Sequence, residues 1–544
     1  MVGKSGFGPS LAGVLGRRSG ALADYKYSTA IANAGLVWDA PTLDAFLMSS
    51  TKKIPGTAMS VSITDAAARV NVIAYLATLG AAPTAGSSTA VPRALAAPGR
   101  GPTGKELLDA AADPQNWLYA SKDYQGQRYV TSIQITPANA ARLRPVCIFR
   151  SDNVVSMQSS PLVYQGTMYL TMNEVTAAID AATCRPRWTY TGALKDGALS
   201  KVNRGVALMG GRLIRGTPDG YLIALNMEDG SLLWSKKIAD SKAAQYLSMP
   251  PLIFEDRIIY GPAAADWGAK NWIGAFDLTT GEERWRFNLI PDANEPGAET
   301  WINPFSREHG GGSLWTPLAL DVSKGVQYVP VGNPSPDFYE AARPGDDLYT
   351  NSAVALDVRT GRLLWFHQFG PADEHDRDLS QVSPLFSASV NGKQRDLIAI
   401  SGKDGLLRVL DRESHEPLYE IAITGRTDWD VAPTTEGAHS CPGLLGGMEW
   451  NEPAYSPSTH TLYVATVDWC ATFTKTVQAP QLTINAHYYG GSAAPDPVAE
   501  ARGWLQAVDA TSGKELWKRQ WPTPLIAGVT VSAESACRQW VASF

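Results

Sequence analysis

Six times between residues 178 and 517 the chain repeats one eleven-residue phrase: small, apolar, Asp or Asn, three variable residues, Gly, three more, then Trp, with slips. The copies are AIDAATCRPRW (178–188), ALNMEDGSLLW (224–234), AFDLTTGEERW (275–285), ALDVRTGRLLW (355–365), VLDRESHEPLY (409–419) and AVDATSGKELW (507–517). Their starts are 46, 51, 80, 54 and 98 residues apart, and the longer gaps hold half-copies, ALDVSKGVQYVPVG and AYSPSTHTLYVATV, as expected of units with extra loops. The phrase reads as a β-hairpin: an apolar inner strand ends at Asp, the D-x-x-x-G turn reverses it, and the outer strand delivers Trp. A unit of about 40–50 residues with such a signature is a propeller blade, because one four-stranded blade cannot bury its own faces. Trp between neighbouring blades supplies a large apolar plug with one donor to satisfy.

Composition agrees. With 44% hydrophobic and 18% charged residues, the 544-residue chain is globular. Lys+Arg 47 against Asp+Glu 53 gives −6, which disfavours a nucleic-acid partner and a polybasic membrane patch. No apolar run approaches the roughly 18 residues of a membrane helix, so no transmembrane segment is expected. The 17 Trp, 20 Tyr, 49 Gly and 36 Pro suit repeated β-structure with many turns.

Three regions are expected. Residues 1–80 read as short helices and loops, including DAPTLDAFLMSS and TDAAARVNVIAYLATLG, the second capped by Thr64. Residues 81–104 are Ala/Pro/Gly/Ser-rich and read as a linker, and 105–544 as the propeller. The five cysteines have no metal-ligand spacing. They read as two disulfides, Cys147–Cys184 and Cys441–Cys470, with Cys537 left over, in an exported protein; the alternative is reduced buried thiols. The N-terminal MVGKSGFGPSLAG lacks the apolar core of a signal peptide.

The blade phrase, with the opening NWLYASKDYQGQRYVTSIQITPANAARLRPV, resembles the tryptophan-docking propeller of quinoprotein alcohol dehydrogenases, which hold pyrroloquinoline quinone (PQQ). The resemblance covers about residues 110–530 and implies a mainly β, eight-bladed propeller whose last blade is incomplete here. GFGPSLAGVLGRRSG, the GLVW turn, IPGTAM and IAYLATL resemble the later part of a small all-α cytochrome c domain. A cytochrome ahead of a propeller is similar to the order in cytochrome-dependent polyvinyl alcohol dehydrogenases. Haem c then implies Met59 as axial ligand and Trp38 in the haem pocket. Residues 1–82, however, contain neither Cys nor His, so the thioether attachment motif is absent and Met59 also reads as an ordinary loop methionine. Both ends look cut by this resemblance, which implies a periplasmic protein whose signal peptide is lost with the missing N-terminus.

The resemblance also assigns residues. In GPADEHDRDLS (370–380), Asp376 falls on the catalytic Asp, a general base and metal ligand; an acidic solvated loop is the bland alternative. Asn333 in VPVGNPSPD falls on a metal-binding Asn, and Asp266 in GPAAADWGAKNW stands where Glu is usual, one methylene short. Lys403 in SGKDGLLRVLDR approaches the quinone oxygens. Trp315 in HGGGSLWTPLALD stacks beneath the quinone, unless it is another docking Trp. Arg204 in KVNRGVAL contacts a PQQ carboxylate, and Gln158 in MQSSPL stands where a Glu contact is common. The family's adjacent cysteine pair is replaced by Ala198-Leu199.

The metal implied is Ca²⁺, with a lanthanide as the alternative because Asp378 makes a D-x-D with Asp376. In the family mechanism the cation polarises the quinone C5 carbonyl, Asp376 takes the hydroxyl proton, hydride moves to C5, and electrons leave singly to a cytochrome haem. The substrate implied is a small or polymeric alcohol. A sugar-oxidising quinoprotein and a non-catalytic propeller scaffold are the competing readings.

Overall fold

The computed structural model describes residues 9–533 apart from 12, 24, 60, 79–98, 133, 137, 151–156, 199 and 201. Two compact units are present, 1–93 and 94–544. Most of the expected linker (81–98), Leu199 and Cys537 lie outside the described residues.

In the first unit the expected helices form at Ala40–Met48 and Ala66–Thr78. Asp39 caps the former by accepting the Thr42 N–H at 2.8 Å. The latter is capped by Asp65, not Thr64: Asp65 Oδ1 accepts the Ala67 N–H at 2.9 Å, the carboxylate being one residue nearer the first turn. Val14, Trp38, Leu43, Phe46, Ile54 and Leu76 form its core, with Trp38 edge-on to Phe46 at 5.0 Å. Met59 is 47% exposed on a loop whose carbonyl accepts Ser50 Oγ–H at 2.7 Å.

The second unit is mainly β. Six sheets follow one another as antiparallel meanders over 162–191, 207–237, 252–288, 319–368, 379–422 and 454–521, called blades 1 to 6. Blade 5 has five strands because Leu379–Gln381 and Leu385–Val390 both pair with Lys393–Gly402. Each phrase joins a third strand to a fourth. The third strands, VTAAID in blade 1 and SAVALD in blade 4, are buried along nearly their whole length between neighbouring blades. The half-copies are the first hairpins of blades 4 and 6, and the long gaps are loops at 331–351 and 469–501 inside those blades.

Docking between blades explains why Gly and Trp recur together. The turn residue donates its N–H to the Asp or Asn carbonyl and has positive φ: 73° at Gly230, 72° at Gly361 and Gly513, and 57° and 64° where Cys184 and His415 replace Gly. Trp188 of blade 1 lies against Gly230 of blade 2, where a Cβ would stand 2.6 Å from the indole, and donates Nε1–H to Met227 O at 2.9 Å. Trp234 packs closely on Gly281, and Tyr419 on Gly513, with the Tyr419 hydroxyl donating to Ala510 O at 3.1 Å. In blade 5, where the turn carries His415, Trp365 stacks on the imidazole at 4.5 Å instead.

Residues 117–130 run across the first strands of the blades. Trp117 exchanges backbone hydrogen bonds with Val163, Tyr124 OH donates to Ile253 O, and Leu320, Leu385 and Tyr455 donate N–H to the carbonyls of Tyr124, Gln125 and Gln127. Arg128 Nε reaches Val529 O at 2.7 Å, and Tyr129–Val130 pair in parallel with Val531–Ser532. The last expected linker residues are packed here too: Gly99 N–H donates to Asn226 Oδ1 at 3.2 Å, and Pro102 O accepts the Gly210 N–H at 2.8 Å. Both expected disulfides form, Cys147–Cys184 and Cys441–Cys470. Among the described residues no helix is long and apolar enough to cross a membrane.

Candidate active site

In a four-stranded antiparallel meander, the loop between the second and third strands leaves from the same end as the link to the next blade, opposite the tight hairpins. Every residue singled out for chemistry in this unit lies on such a segment. Asp266, Asn333 and Lys403 occupy the second-to-third loops of blades 3, 4 and 5; Gln158, Arg204, Trp315, Asp376 and Asp378 lie on segments entering or linking blades. The repeat thus gathers, at one end of the wheel, residues far apart in the chain.

Lys403 is the centre of the arrangement. It is 7% exposed, and its ammonium lies 3.1 Å from both carboxylate oxygens of Asp376 and 2.7 Å from Asp378 Oδ2. Its own N–H donates to Asp378 O at 3.0 Å. Asp378 Oδ1 accepts the Asn333 N–H at 2.8 Å, and a Cβ on Gly332 would stand 2.3 Å from that oxygen, so the approach needs glycine there. The Asn333 side-chain amide donates to Pro334 O at 3.1 Å. Asp376 has φ +55°, a left-handed backbone that few non-glycine residues adopt.

Two further carboxylates converge on Asp376. Single oxygens of Asp266, Asp337 and Asp376 lie within 4.8 Å of one another. Asp266 sits on the short turn Ala265–Trp267, held where Ser313 Oγ accepts the Ala265 N–H at 2.7 Å and Asp266 O accepts the Tyr488 N–H at 2.7 Å. Asp337 lies in the 331–351 excursion of blade 4. Arg343, fully buried, braces that excursion: Nε donates to Pro336 O at 3.1 Å, Nη1 pairs with Asp347 at 2.5 Å, and Nη2 donates to Asp373 O on the Asp376 loop.

Beside Lys403 lies an aromatic and cationic wall. The ammonium is 5.6 Å from the Trp315 ring centre and the Arg204 guanidinium 4.8 Å from it. Trp450 stands edge-on to Trp315 at 6.5 Å, with Arg204 5.5 Å from its ring. Gln158 is two residues from Ser160, whose N–H donates to Arg204 O at 2.9 Å. Above, the strands Ala438–Ser440, Ala471–Lys475 and Gly491–Pro495 form a small sheet whose Phe473 packs against Phe338 at 5.8 Å and His375 at 4.9 Å.

Burial dominates the electrostatics. It raises Asp376 well above the usual carboxylate range; Lys403 opposes the shift, and Asp378 and Asp266 add to it. Asp337 is raised by burial and then by Asp266 and Asp376, and Asp266 is raised by burial. Burial alone would lower Lys403, but Asp376, Asp378 and Glu449 outweigh it and keep the ammonium charged. Burial pushes Glu449 up to about 7 against the pull of Lys403. Burial lowers His375 to about 4, leaving a neutral ring whose Nε2 faces Val431 O at 3.0 Å.

The residues present fit a hard cation and a flat, carboxylated quinone. Neither oxygen of Asp337 has a partner among the described residues, nor has Arg204 Nε or Glu449 Oε1, though all are buried. Converging carboxylates suit a hard cation, and two cationic groups over an indole suit a planar anion. Residues 1–82 contain no Cys for thioether attachment of haem c and no His for axial ligation. The structure thus brings together Asp266, Asp376, Asp378, Asn333, Lys403, Trp315 and Arg204, while Met59 belongs to the other unit. Asp378 is engaged by Lys403 and Asn333 and is not among the three converging carboxylates. Asp337, Glu449 and Trp450 escaped sequence reasoning. A cavity of about 490 Å³ opens on the outer side of the Asp376 loop, lined among others by Phe369, His375, Arg408 and Trp429; of the expected site residues only Asp378 reaches it.

Comparison with known proteins is consistent with this geometry. The family model for the β-propeller domain of PQQ-dependent glucose, ethanol and alcohol dehydrogenases matches residues 117–425. The dehydrogenase subunit of a quinone alcohol dehydrogenase from Gluconacetobacter polyoxogenes is 29% identical over 500 residues, covering 82% of this chain and 68% of that protein. The solved quinohemoprotein alcohol dehydrogenase ADHIIG from Pseudomonas putida HK5 superposes with a TM-score of 0.74 at 26% identity, covering 80% of this chain and 70% of that one. A europium-containing methanol dehydrogenase superposes with a TM-score of 0.73 at 25% identity, covering 79% and 82%.

Proposed function

The chain belongs to the family of PQQ-dependent glucose, ethanol and alcohol dehydrogenase β-propellers and is an oxidoreductase, and from that premise we propose that it oxidises an alcohol at the site around Lys403 and Asp376. The observation that carries the reading is the Lys403 ammonium shared by Asp376 and Asp378 beside Trp315, with Asp266 alongside. A scaffold gains nothing from burying these charges together, since removing them from water is costly unless they hold something.

When bound, PQQ supplies the hydride acceptor and a hard cation polarises it. Trp315 would support the ring, and Arg204 and Lys403 would meet its anionic oxygens, with Gln158 at its edge. Asp266, Asn333 and Asp376 would hold the cation, Ca²⁺ or a lanthanide, with Asp378 fixing Lys403 and Asn333. Asp376 accepts the proton of the substrate hydroxyl. Its tie to Lys403 keeps the carboxylate oriented, and a bound cation lowers its proton affinity enough to leave it a base. The loops at 289–318, 331–351, 423–453 and 469–501 emerge at the same end and would exclude water from the site.

Electrons would pass singly to a cytochrome haem, and the full wheel would have eight blades, two beyond the six among the described residues. Residues 1–80 would be a cytochrome c-like domain, with its haem only in a version carrying the attachment motif. The alcohol would be small, secondary or polymeric, and the compartment periplasmic. The test is reconstitution with PQQ and either Ca²⁺ or La³⁺, followed by primary, secondary and polymeric alcohols with an artificial electron acceptor. Dye reduction that needs PQQ, metal and alcohol together is the expected result; its absence from folded protein that binds PQQ would sink the reading.

A further inference from the structure

Asp337 is the carboxylate in this site that nothing in the structure explains unless it binds an ion. It is 1% exposed, and neither oxygen meets a hydrogen-bond donor or a cation among the described residues. One of its oxygens nevertheless lies within 4.8 Å of oxygens of both Asp266 and Asp376. A buried carboxylate left in this state is strongly unfavourable, and three turned toward one point more so.

We infer that Asp337 is a direct ligand of the site's metal ion, and that with Asp266 and Asp376 it makes a cage suited to a trivalent hard cation. The inference deepens the reading above and rests on it. Lys403 is saturated by Asp376 and Asp378, and Asp378 gives its remaining oxygen to the Asn333 N–H. With a cation bound and all four carboxylates ionised, one ammonium leaves three negative charges for that cation to balance. Asp378 is not the extra ligand that a D-x-D pattern suggests; Asp337 takes that place from a different loop. Carboxylate-rich, all-oxygen cages bind hard cations, and their charge count sets which charge they prefer. Arg343 fixes the distance between the two loops, since it holds Pro336 O on one and Asp373 O on the other.

The test uses the whole chain, stripped of metal with a chelator and titrated with Tb³⁺ alone, read by tryptophan-sensitised luminescence; Trp267 adjoins Asp266. The parent should bind one Tb³⁺ that Ca²⁺ at equal concentration does not displace. Asp337→Asn should weaken Tb³⁺ by more than about 100-fold, beyond the roughly 10–100-fold that loss of an outer partner typically costs. The same variant should raise the melting temperature of the metal-free protein, because a buried carboxyl group with no hydrogen-bond partner has gone; a purely structural Asp would do the reverse. Tb³⁺ affinity unchanged in Asp337→Asn, a lowered metal-free melting temperature, or Ca²⁺ displacing Tb³⁺ at parity would overturn the inference. If Asp376→Asn weakens Tb³⁺ and Asp337→Asn does not, the inference falls and the reading above stands. If neither does, both fall.

Discussion

Gly361 of blade 4 lies beneath Trp285 of blade 3 so closely that a Cβ would stand 2.4 Å from the indole Cε3. The indole Nε1–H meanwhile donates to Val358 O at 3.2 Å in the same turn. One tryptophan therefore closes the gap between two blades and satisfies its only donor, and glycine serves both the positive φ of 72° and the flat approach.

Gly361→Ala is expected to cost about 1–2 kcal/mol for the left-handed backbone and a further ~1–3 kcal/mol for overpacking against the indole. Gly392→Ala, at φ +76° with nothing within 4 Å, should cost only the first part. Chemical denaturation of the two variants side by side measures the difference.

Arg343 and Asp347 form an ion pair with neither side chain exposed. Arg343→Leu should destabilise by about 3–5 kcal/mol, because it strands a buried carboxylate. Adding Asp347→Leu should recover part of that loss. A double-mutant cycle from denaturation midpoints gives the coupling; additive losses would contradict the pair's importance.

At the proposed active site, Asp376→Asn should lower PQQ- and metal-dependent dye reduction by at least about 10²-fold, the lower bound for losing a general base. Lys403→Met should be comparably damaging and should also loosen Asp376, whose ion-pair partner it is. Steady-state rates on cofactor-saturated protein, with PQQ affinity measured separately, separate chemistry from binding.

Asp123, in the segment across the first strands, is 5% exposed, and burial raises it to about 6 despite the N–H groups of Gln125 and Gly126. The folded protein then holds this proton more tightly than the unfolded chain. Its contribution is present below about pH 4, the unfolded value, and is lost as pH rises toward 6. Asp123→Asn lacks that loss, so its stability relative to the parent should climb by about 3 kcal/mol between pH 4 and 6 and be flat above. Denaturation curves at four pH values check the slope.

What could be read from residues alone was whatever is local or periodic. The D-x-x-x-G turn is made by four consecutive residues, so the blade hairpins and their docking tryptophans were legible. So were the two disulfides; the phrases around Asp376, Lys403, Trp315 and Arg204 marked them as candidates by resemblance, and the fold brings the four together. Asp337 had no such signal: a lone acid in NPSPDFY looks like a turn residue. It joins Asp266 and Asp376 only because Arg343 folds the 331–351 excursion onto the Asp373 carbonyl. The D-x-D resemblance named Asp378 as a metal ligand; only the folded chain shows that the Asn333 N–H and Lys403 engage its two oxygens. Glu449 and Trp450 reach the site from the link between blades 5 and 6. Short-range turn chemistry chose the repeating unit; which long loops converge over its open end was decided by packing among segments distant in the chain, and that is a property of the assembled wheel.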